Sequence, residues 1–227
     1  MASSKAFKAA LIVVDFQEDF CPPNGSLAVA NGRAIAPAIN ALLSLPFALK
    51  IATKDWHPAD HVSFAANHAG AAPYTSSHTI VHPSDPARSY STTLWPIHCV
   101  QDTPGADLVP ELDVDALDEV IEKGLDPSVE MYSAFYDPFH VSDSGLSRTL
   151  KDAGVTDVFV VGLASDFCVK ATAEHAVEEG YRTFIVTEGT RPVLPDKWDD
   201  CKSDMEAKGI NFTSIEGDEV AQIKSSS

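Results

Sequence analysis

Cysteine is scarce in this sequence. The 227 residues hold four, Cys21, Cys99, Cys168 and Cys201, and no two lie within thirty positions of each other. That spacing excludes a C-x-x-C redox motif and a cysteine zinc knuckle, and at this chain length it argues against a disulfide scaffold. Positive charge is short as well. Sixteen Lys and Arg face 33 Asp and Glu, for a formal net charge of −17. A field of that sign repels nucleic acid and anionic membrane surfaces, so neither is expected as a partner. Long apolar runs are also missing. The run Ala9–Val14 stops at Asp15, far short of the roughly 20 residues a membrane span needs. The polar stretch Met1–Lys8 and this brief run do not make a secretory signal, and the final Ile-Lys-Ser-Ser-Ser is not the Ser-Lys-Leu peroxisomal address. A cytoplasmic location is expected.

Core material is plentiful, at 44% apolar residues, and it is distributed in a repeating pattern. Short β-branched runs fall at Ala10–Val14, Ala48–Thr53, Glu119–Glu122, Val158–Leu163, Thr183–Thr187 and Asn211–Ile215. The first and fourth are nearly continuous apolar stretches, as strands buried on both faces must be. Helical periodicity lies between them, at Arg33–Leu45, Ser144–Ala153, Asp166–Glu179 and Asp196–Lys208, with Gly180 and Gly209 placed to end the last two. Strand–helix alternation predicts a three-layer α/β/α fold around a mostly parallel sheet of about six strands. No repeat, linker or low-complexity block interrupts it, so a single domain over 1–227 is expected. Residues from about 62 to 110 fit the alternation poorly. They read as an irregular insertion without a long element, and such stretches usually serve function.

Ligands of open α/β sheets bind beyond the carboxyl ends of the strands. The residues at those ends are Asp15, then Asp55-Trp56-His57, then Lys123-Gly124, then Ala164-Ser165-Asp166-Phe167-Cys168. Cys168 stands in the first turn of a helix, where free N–H groups and the positive dipole end favour a thiolate nucleophile. The competing reading is a buried small hydrophobe. Asp15, desolvated at the end of an apolar strand, suits a general base that takes the thiol proton and passes it to a leaving amine. Lys123, between an acid and a thiol, would favour both anions rather than sit in solvent. Asp55 and His57 are two apart on an extended segment and point the same way, so they can share one cation. With His98 they suit a zinc-like divalent ion that keeps open positions, and His61 is a candidate fourth ligand. His68, His78 and His82 read as ordinary loop histidines.

Five segments carry a resemblance. Leu11-Ile-Val-Val-Asp15-Phe-Gln-Glu-Asp-Phe20, Asp55-Trp-His-Pro-Ala-Asp-His61-Val-Ser-Phe64, Leu94-Trp-Pro-Ile-His-Cys99, Ile121-Glu-Lys-Gly124 and Gly162-Leu-Ala-Ser-Asp-Phe-Cys-Val-Lys-Ala171 resemble, in order, the nicotinamidase branch of the isochorismatase-like cysteine hydrolases. The resemblance implies an isochorismatase-like fold and an enzyme that hydrolyses the carbon–nitrogen bond of a linear amide. Nicotinamide would become nicotinate and ammonia in NAD salvage, through a thioester, and pyrazinamide would also be cleaved. It implies a triad of Asp15, Lys123 and Cys168 and a metal held by Asp55, His57 and His98, zinc first with iron or manganese as alternatives. It further implies a cis Leu163–Ala164 peptide, an oxyanion hole of the Ala164 and Cys168 N–H groups, and Phe16, Phe20 and Trp95 packing on the substrate ring. A homo-oligomer is compatible with all of this. The alternatives are a metal-independent carbamoyl or ureido amidohydrolase of the same superfamily, which lacks the metal ligands, and a non-catalytic metabolite-binding relative.

Overall fold

In the computed structural model residues 6–225 are described, and the extreme termini, on which the signal and C-terminal address readings partly fall, lie outside the described residues. In chain order the strands are β1 (Ala9–Val14), β2 (Leu49–Asp55), β3 (Ser77–His82), β4 (Asp85–Thr93), β5 (Glu119–Lys123), β6 (Asp157–Leu163), β7 (Arg182–Arg191) and β8 (Asn211–Thr213). The helices are α1 (Ala36–Leu43), α2 (Leu146–Asp152), α3 (Cys168–Glu178), α4 (Trp198–Ala207) and α5 (Asp218–Lys224).

Every residue of β1 is buried. Alternation along the strand sends Leu11 and Val13 into one core and Ala10, Ile12 and Val14 into another. A strand placed like this has no solvent face, which is why its sequence is apolar throughout. The sheet order is β5-β2-β1-β6-β7-β8, and each neighbouring pair is parallel. Ile39, Leu42 and Leu43 of α1 and Val220 and Ile223 of α5 fill the core on one face. Leu146 and Leu150 of α2, Val169, Ala173 and Ala176 of α3, and Met205 of α4 fill the other. The result is the three-layer α/β/α architecture expected from the alternation. Each of these large aliphatic side chains contributes roughly 1.5–3 kcal/mol by leaving water. No helix among the described residues is long and apolar enough to cross a membrane.

Two elements depart from the expectation. The stretch read as lacking a long element contains the antiparallel pair β3–β4. Its nine-residue second strand is mostly exposed and polar, so it has no apolar alternation to betray it. Its apolar contact with the body is a small cluster of Ile80, Val129 and Phe139, with Val62 and Tyr90 against it. Helix α5 was not anticipated either. Its seven residues bury only Val220 and Ile223, too few to set a helical period.

At the carboxyl end of β6, Gly162 lies opposite Val14 of β1 with φ +110°, and the next peptide, Leu163–Ala164, is cis. A Cβ at Gly162 would overlap the Val14 backbone, and that φ already belongs to glycine. Gly162→Ala is therefore expected to lose more than about 3 kcal/mol of stability, read as a fall in the urea midpoint at unchanged slope. A loss below 1 kcal/mol would show that the β1–β6 junction adapts.

Candidate active site

From β1 the sheet grows through β2 to β5 on one side and then, after a crossover, from β6 to β8 on the other. The reversal lies between β1 and β6, and ligands of such folds bind beyond the strand ends there. Asp15 follows β1 and Cys168 opens α3 after β6, so the two flank this point. The β2–β5 register sets Asp55 opposite Lys123. All four side chains are buried.

Lys123 is the centre of the group. Its Nζ lies 2.6 Å from Asp55 Oδ1 and 2.9 Å from Asp15 Oδ2. It also donates to the Met131 carbonyl at 3.2 Å and approaches Cys168 Sγ at 3.8 Å. Asp15 Oδ1 accepts from the Thr53 hydroxyl at 2.6 Å. Burial pushes the Asp15 carboxyl up to about 6, with the Lys123 ammonium holding it from going higher. Burial acts on Asp55 too, but Lys123 and His57 outweigh it and keep that carboxyl well below the usual range. Burial alone would lower Lys123; the two carboxylates instead raise it well above its ordinary value.

The helix-start argument predicted a thiolate at Cys168, and here the structure differs. Burial raises the thiol well above its ordinary value, and the Asp15 and Asp55 carboxylates oppose the lowering by Lys123. The resting group is a thiol, so a nucleophile forms only if a base takes the proton. An Asp15 carboxyl oxygen lies within 4.8 Å of Cys168 Sγ.

Asp55 also joins a second group. Its Oδ2 lies 3.5 Å from His57 Nε2 and 4.0 Å from His98 Nε2. Each histidine has its Nδ1 against a backbone carbonyl, Gly124 at 2.9 Å for His57 and Pro96 at 2.8 Å for His98. That contact fixes the ring and leaves Nε2 facing Asp55, as in metal-ligating histidines. Gly124 is required beside His57, because its φ is +68° and a Cβ would strike the imidazole. Burial depresses His98 to about 4, which keeps its nitrogen unprotonated for a cation. One carboxylate and two imidazoles with mutually close donor atoms fit a divalent ion of the zinc class. His61 stacks on His57 at 4.0 Å. Its Nδ1 contacts the Ser63 hydroxyl, while its buried Nε2 has no hydrogen-bond partner among the described residues. It groups with His57 and Glu130 rather than with the Asp55 set.

Above Cys168 opens a small cavity walled by Phe20, Leu27, Trp95, Tyr132, Phe167 and Val193, with Asp55, His98, Glu130, Ala164 and Cys168 completing its lining. Phe20 and Trp95 stand where ring packing was expected. Phe16 does not. It is fully buried in the core with the β1 side chains and is absent from the cavity wall, because the strand end directs it inward. The Ala164 and Cys168 N–H groups donate to no backbone or side-chain acceptor among the described residues.

Several site residues carried no readable signal. Gln17 clamps the Asp55 backbone, accepting its N–H at 2.8 Å and donating to its carbonyl at 2.8 Å. Asp19 accepts the Cys99 N–H at 2.7 Å and so fixes the turn after His98. Phe167 reaches the cavity from beside Cys168, and Glu130 and Tyr132 reach it from one segment more than thirty residues earlier. Nothing local marks such residues, since their role is created by pairing over tens of positions.

Comparison with known proteins gives a consistent result. Residues 9–217 match the isochorismatase domain family. The chain is similar to the nicotinamidase of Schizosaccharomyces pombe, 41% identical over 188 residues, covering 82% of this chain and 84% of that protein. It is similar in structure to the yeast nicotinamidase Pnc1p bound to the inhibitor nicotinaldehyde, with a TM-score of 0.86, 34% identity, and coverage of 91% and 99%. It is also similar to the Pyrococcus horikoshii pyrazinamidase in complex with zinc, with a TM-score of 0.71, 32% identity, and the same coverage of 91% and 99%.

Removing the ammonium at the centre should strand two buried carboxylates. Lys123→Met is expected to destabilise the fold by about 3–5 kcal/mol at neutral pH. Without the ammonium, folded Asp15 and Asp55 hold protons to higher pH than in the unfolded chain. Their cost therefore grows as pH rises and shrinks toward pH 4. Urea unfolding at about pH 7 and pH 4.5 checks the sign; equal deficits at both would contradict it.

Proposed function

The chain belongs to the isochorismatase family, and within it we propose that it is a nicotinamidase, converting nicotinamide and water to nicotinate and ammonia as a step of NAD salvage. The observation that carries this reading is the position of Asp55. One of its oxygens faces Lys123 and the other faces His57 and His98, so a thiol–acid–lysine set and a metal-type donor set share one residue beneath one cavity. The similarity to nicotinamidases over most of the chain supports the same activity. The zinc-bound pyrazinamidase neighbour supports zinc over iron or manganese and supports pyrazinamide as a further substrate.

Asp55, His57 and His98 would hold the ion, with His61 and Glu130 beside them. When bound, it supplies a Lewis-acid anchor for a pyridine nitrogen. The aromatic walls, Phe20, Trp95, Tyr132 and Phe167, sandwich the ring and exclude water. The carboxamide lies over Cys168. Asp15 takes the thiol proton, and sulfur attacks the carbonyl carbon. The Ala164 and Cys168 N–H groups, free of other acceptors, hold the oxyanion that forms. Asp15 returns the proton to the departing amine as ammonia leaves and a thioester remains. Water, deprotonated by Asp15, then releases nicotinate and the thiol. Lys123 holds both carboxyl groups in place, keeps Asp55 ionised, and returns Asp15 to its carboxylate form after each proton transfer.

A carboxyl poised near 6 explains how one residue both takes and returns a proton near neutrality. Below about pH 6 Asp15 is protonated in the folded protein and accepts nothing, so kcat/KM should fall as pH drops through that region. Asp15→Asn should remove this limb along with the activity. Cys168→Ala should lower ammonia release from nicotinamide by at least about 10³-fold. Chelation should abolish activity, and added zinc should restore it. Ammonia release that survives complete metal removal but needs Cys168 would instead favour a carbamoyl or ureido amidohydrolase. Nicotinamide binding without turnover by the metal-loaded protein would favour a non-catalytic relative.

A further inference from the structure

The β3–β4 ribbon has no part in the chemistry above, yet one edge of it faces the site. Tyr90 and Thr92 lie two apart on β4 and so project to the same side. They meet Glu130 and Tyr132, which are also two apart, in a segment with neither helix nor strand. The Glu130 N–H donates to the Tyr90 hydroxyl at 3.0 Å, and that hydroxyl donates to the Glu130 carbonyl at 3.1 Å. One phenol thus replaces the ladder bonds that a strand partner would supply to this residue. The Tyr132 hydroxyl lies 3.0 Å from Thr92 Oγ1 and accepts the Trp95 indole N–H at 2.8 Å. Phe139 packs 4.8 Å from the Tyr90 ring, which holds the phenol in its orientation.

Each residue of the clamped segment sends a different group inward. Glu130 lines the cavity, and its carboxylate lies within 4.8 Å of ring nitrogens of His57 and His61. The Met131 carbonyl accepts from Lys123 Nζ. The Tyr132 ring forms part of the cavity wall. We infer that the β3–β4 ribbon is a positioning strap, in which the Tyr90 hydroxyl sets the placement of Glu130 and of the Lys123 ammonium through Met131, and Thr92 sets the Tyr132 wall. Tyr90 and Thr92 are positioning residues and touch neither substrate nor reacting atoms. The inference rests on the nicotinamidase reading for its kinetic consequence, and on the hydrogen bonds alone for its structural one.

Tyr90→Phe keeps the ring and its packing and removes only the hydroxyl. Thr92→Val keeps the shape and removes only the second contact. Two measurements are made on the metal-loaded full chain, amide hydrogen exchange and steady-state ammonia release from nicotinamide. In Tyr90→Phe the Glu130 amide should exchange at least about tenfold faster, with the sheet amides unchanged. Its kcat should fall about tenfold with little change in KM, since a misplaced catalytic group is felt in the chemical step. Thr92→Val should do the reverse, raising KM severalfold with kcat within about twofold. Exchange unchanged at Glu130, exchange accelerated evenly over the whole fold, or kcat within twofold of wild type in Tyr90→Phe would each overturn the strap. Wild type that releases no ammonia would sink the nicotinamidase reading, and the exchange of the Glu130 amide would then decide the strap by itself.

Discussion

A single ammonium holds this site together. Lys123 is buried at the end of an edge strand, and two carboxylates, Asp55 from the adjoining β2 and Asp15 from the end of β1 beyond it, close on it. Any one of the three charges, alone in that interior, would cost several kcal/mol. Together they are tolerable, because the ammonium pairs with both carboxylates and directs its three donors to Asp55, the Met131 carbonyl and Cys168 Sγ. The arrangement leaves one carboxylate in excess. Burial, with the second carboxylate adding to it, is the reason Asp15 sits high enough to exchange protons near neutrality, and the other oxygen of Asp55 faces His57 and His98.

The sheet makes this possible through its direction. In a parallel sheet all the carboxyl ends lie along one edge, so residues that follow β1, β2, β5 and β6 meet without any of the connecting loops having to reach. The same geometry explains the thiol. Cys168 begins α3 at the junction with β6, under the cavity wall and away from solvent. Desolvation there exceeds what the helix terminus offers, so the sulfur stays protonated until a base acts. In the mechanism proposed above, Cys168 and Asp15 therefore act as a unit that depends on the alignment of the strand ends.

Much of this was legible in the residues. The six strands of the sheet showed as β-branched runs, most plainly β1 and β6, where burial on both faces leaves little freedom in composition. Asp15, Asp55, His57, Lys123 and Cys168 were conspicuous because a charged or reactive side chain directly after an apolar strand is costly unless it is used. Phe16 misled for the reason that makes aromatics ambiguous: a phenylalanine beside an acid packs equally well into a core or a pocket, and here the backbone turned it into the core. The β3–β4 ribbon stayed hidden because it is held by backbone pairing, the covered Ile80 side chain and hydrogen bonds from Tyr90 and Thr92. Polar, exposed strands carry no hydrophobic period.

The sequence by itself determined the α/β alternation, the order of the strand ends and the kinds of group they bear, because local burial and chain direction dictate those. Only the tertiary structure decided the protonation of Cys168, the sharing of Asp55 between Lys123 and the histidines, and the presence of Glu130, Tyr132 and Phe167 at the cavity. Each of these depends on distances between segments that are tens of residues apart, and on how much water the fold leaves between them. Such quantities come into being only when the chain has closed.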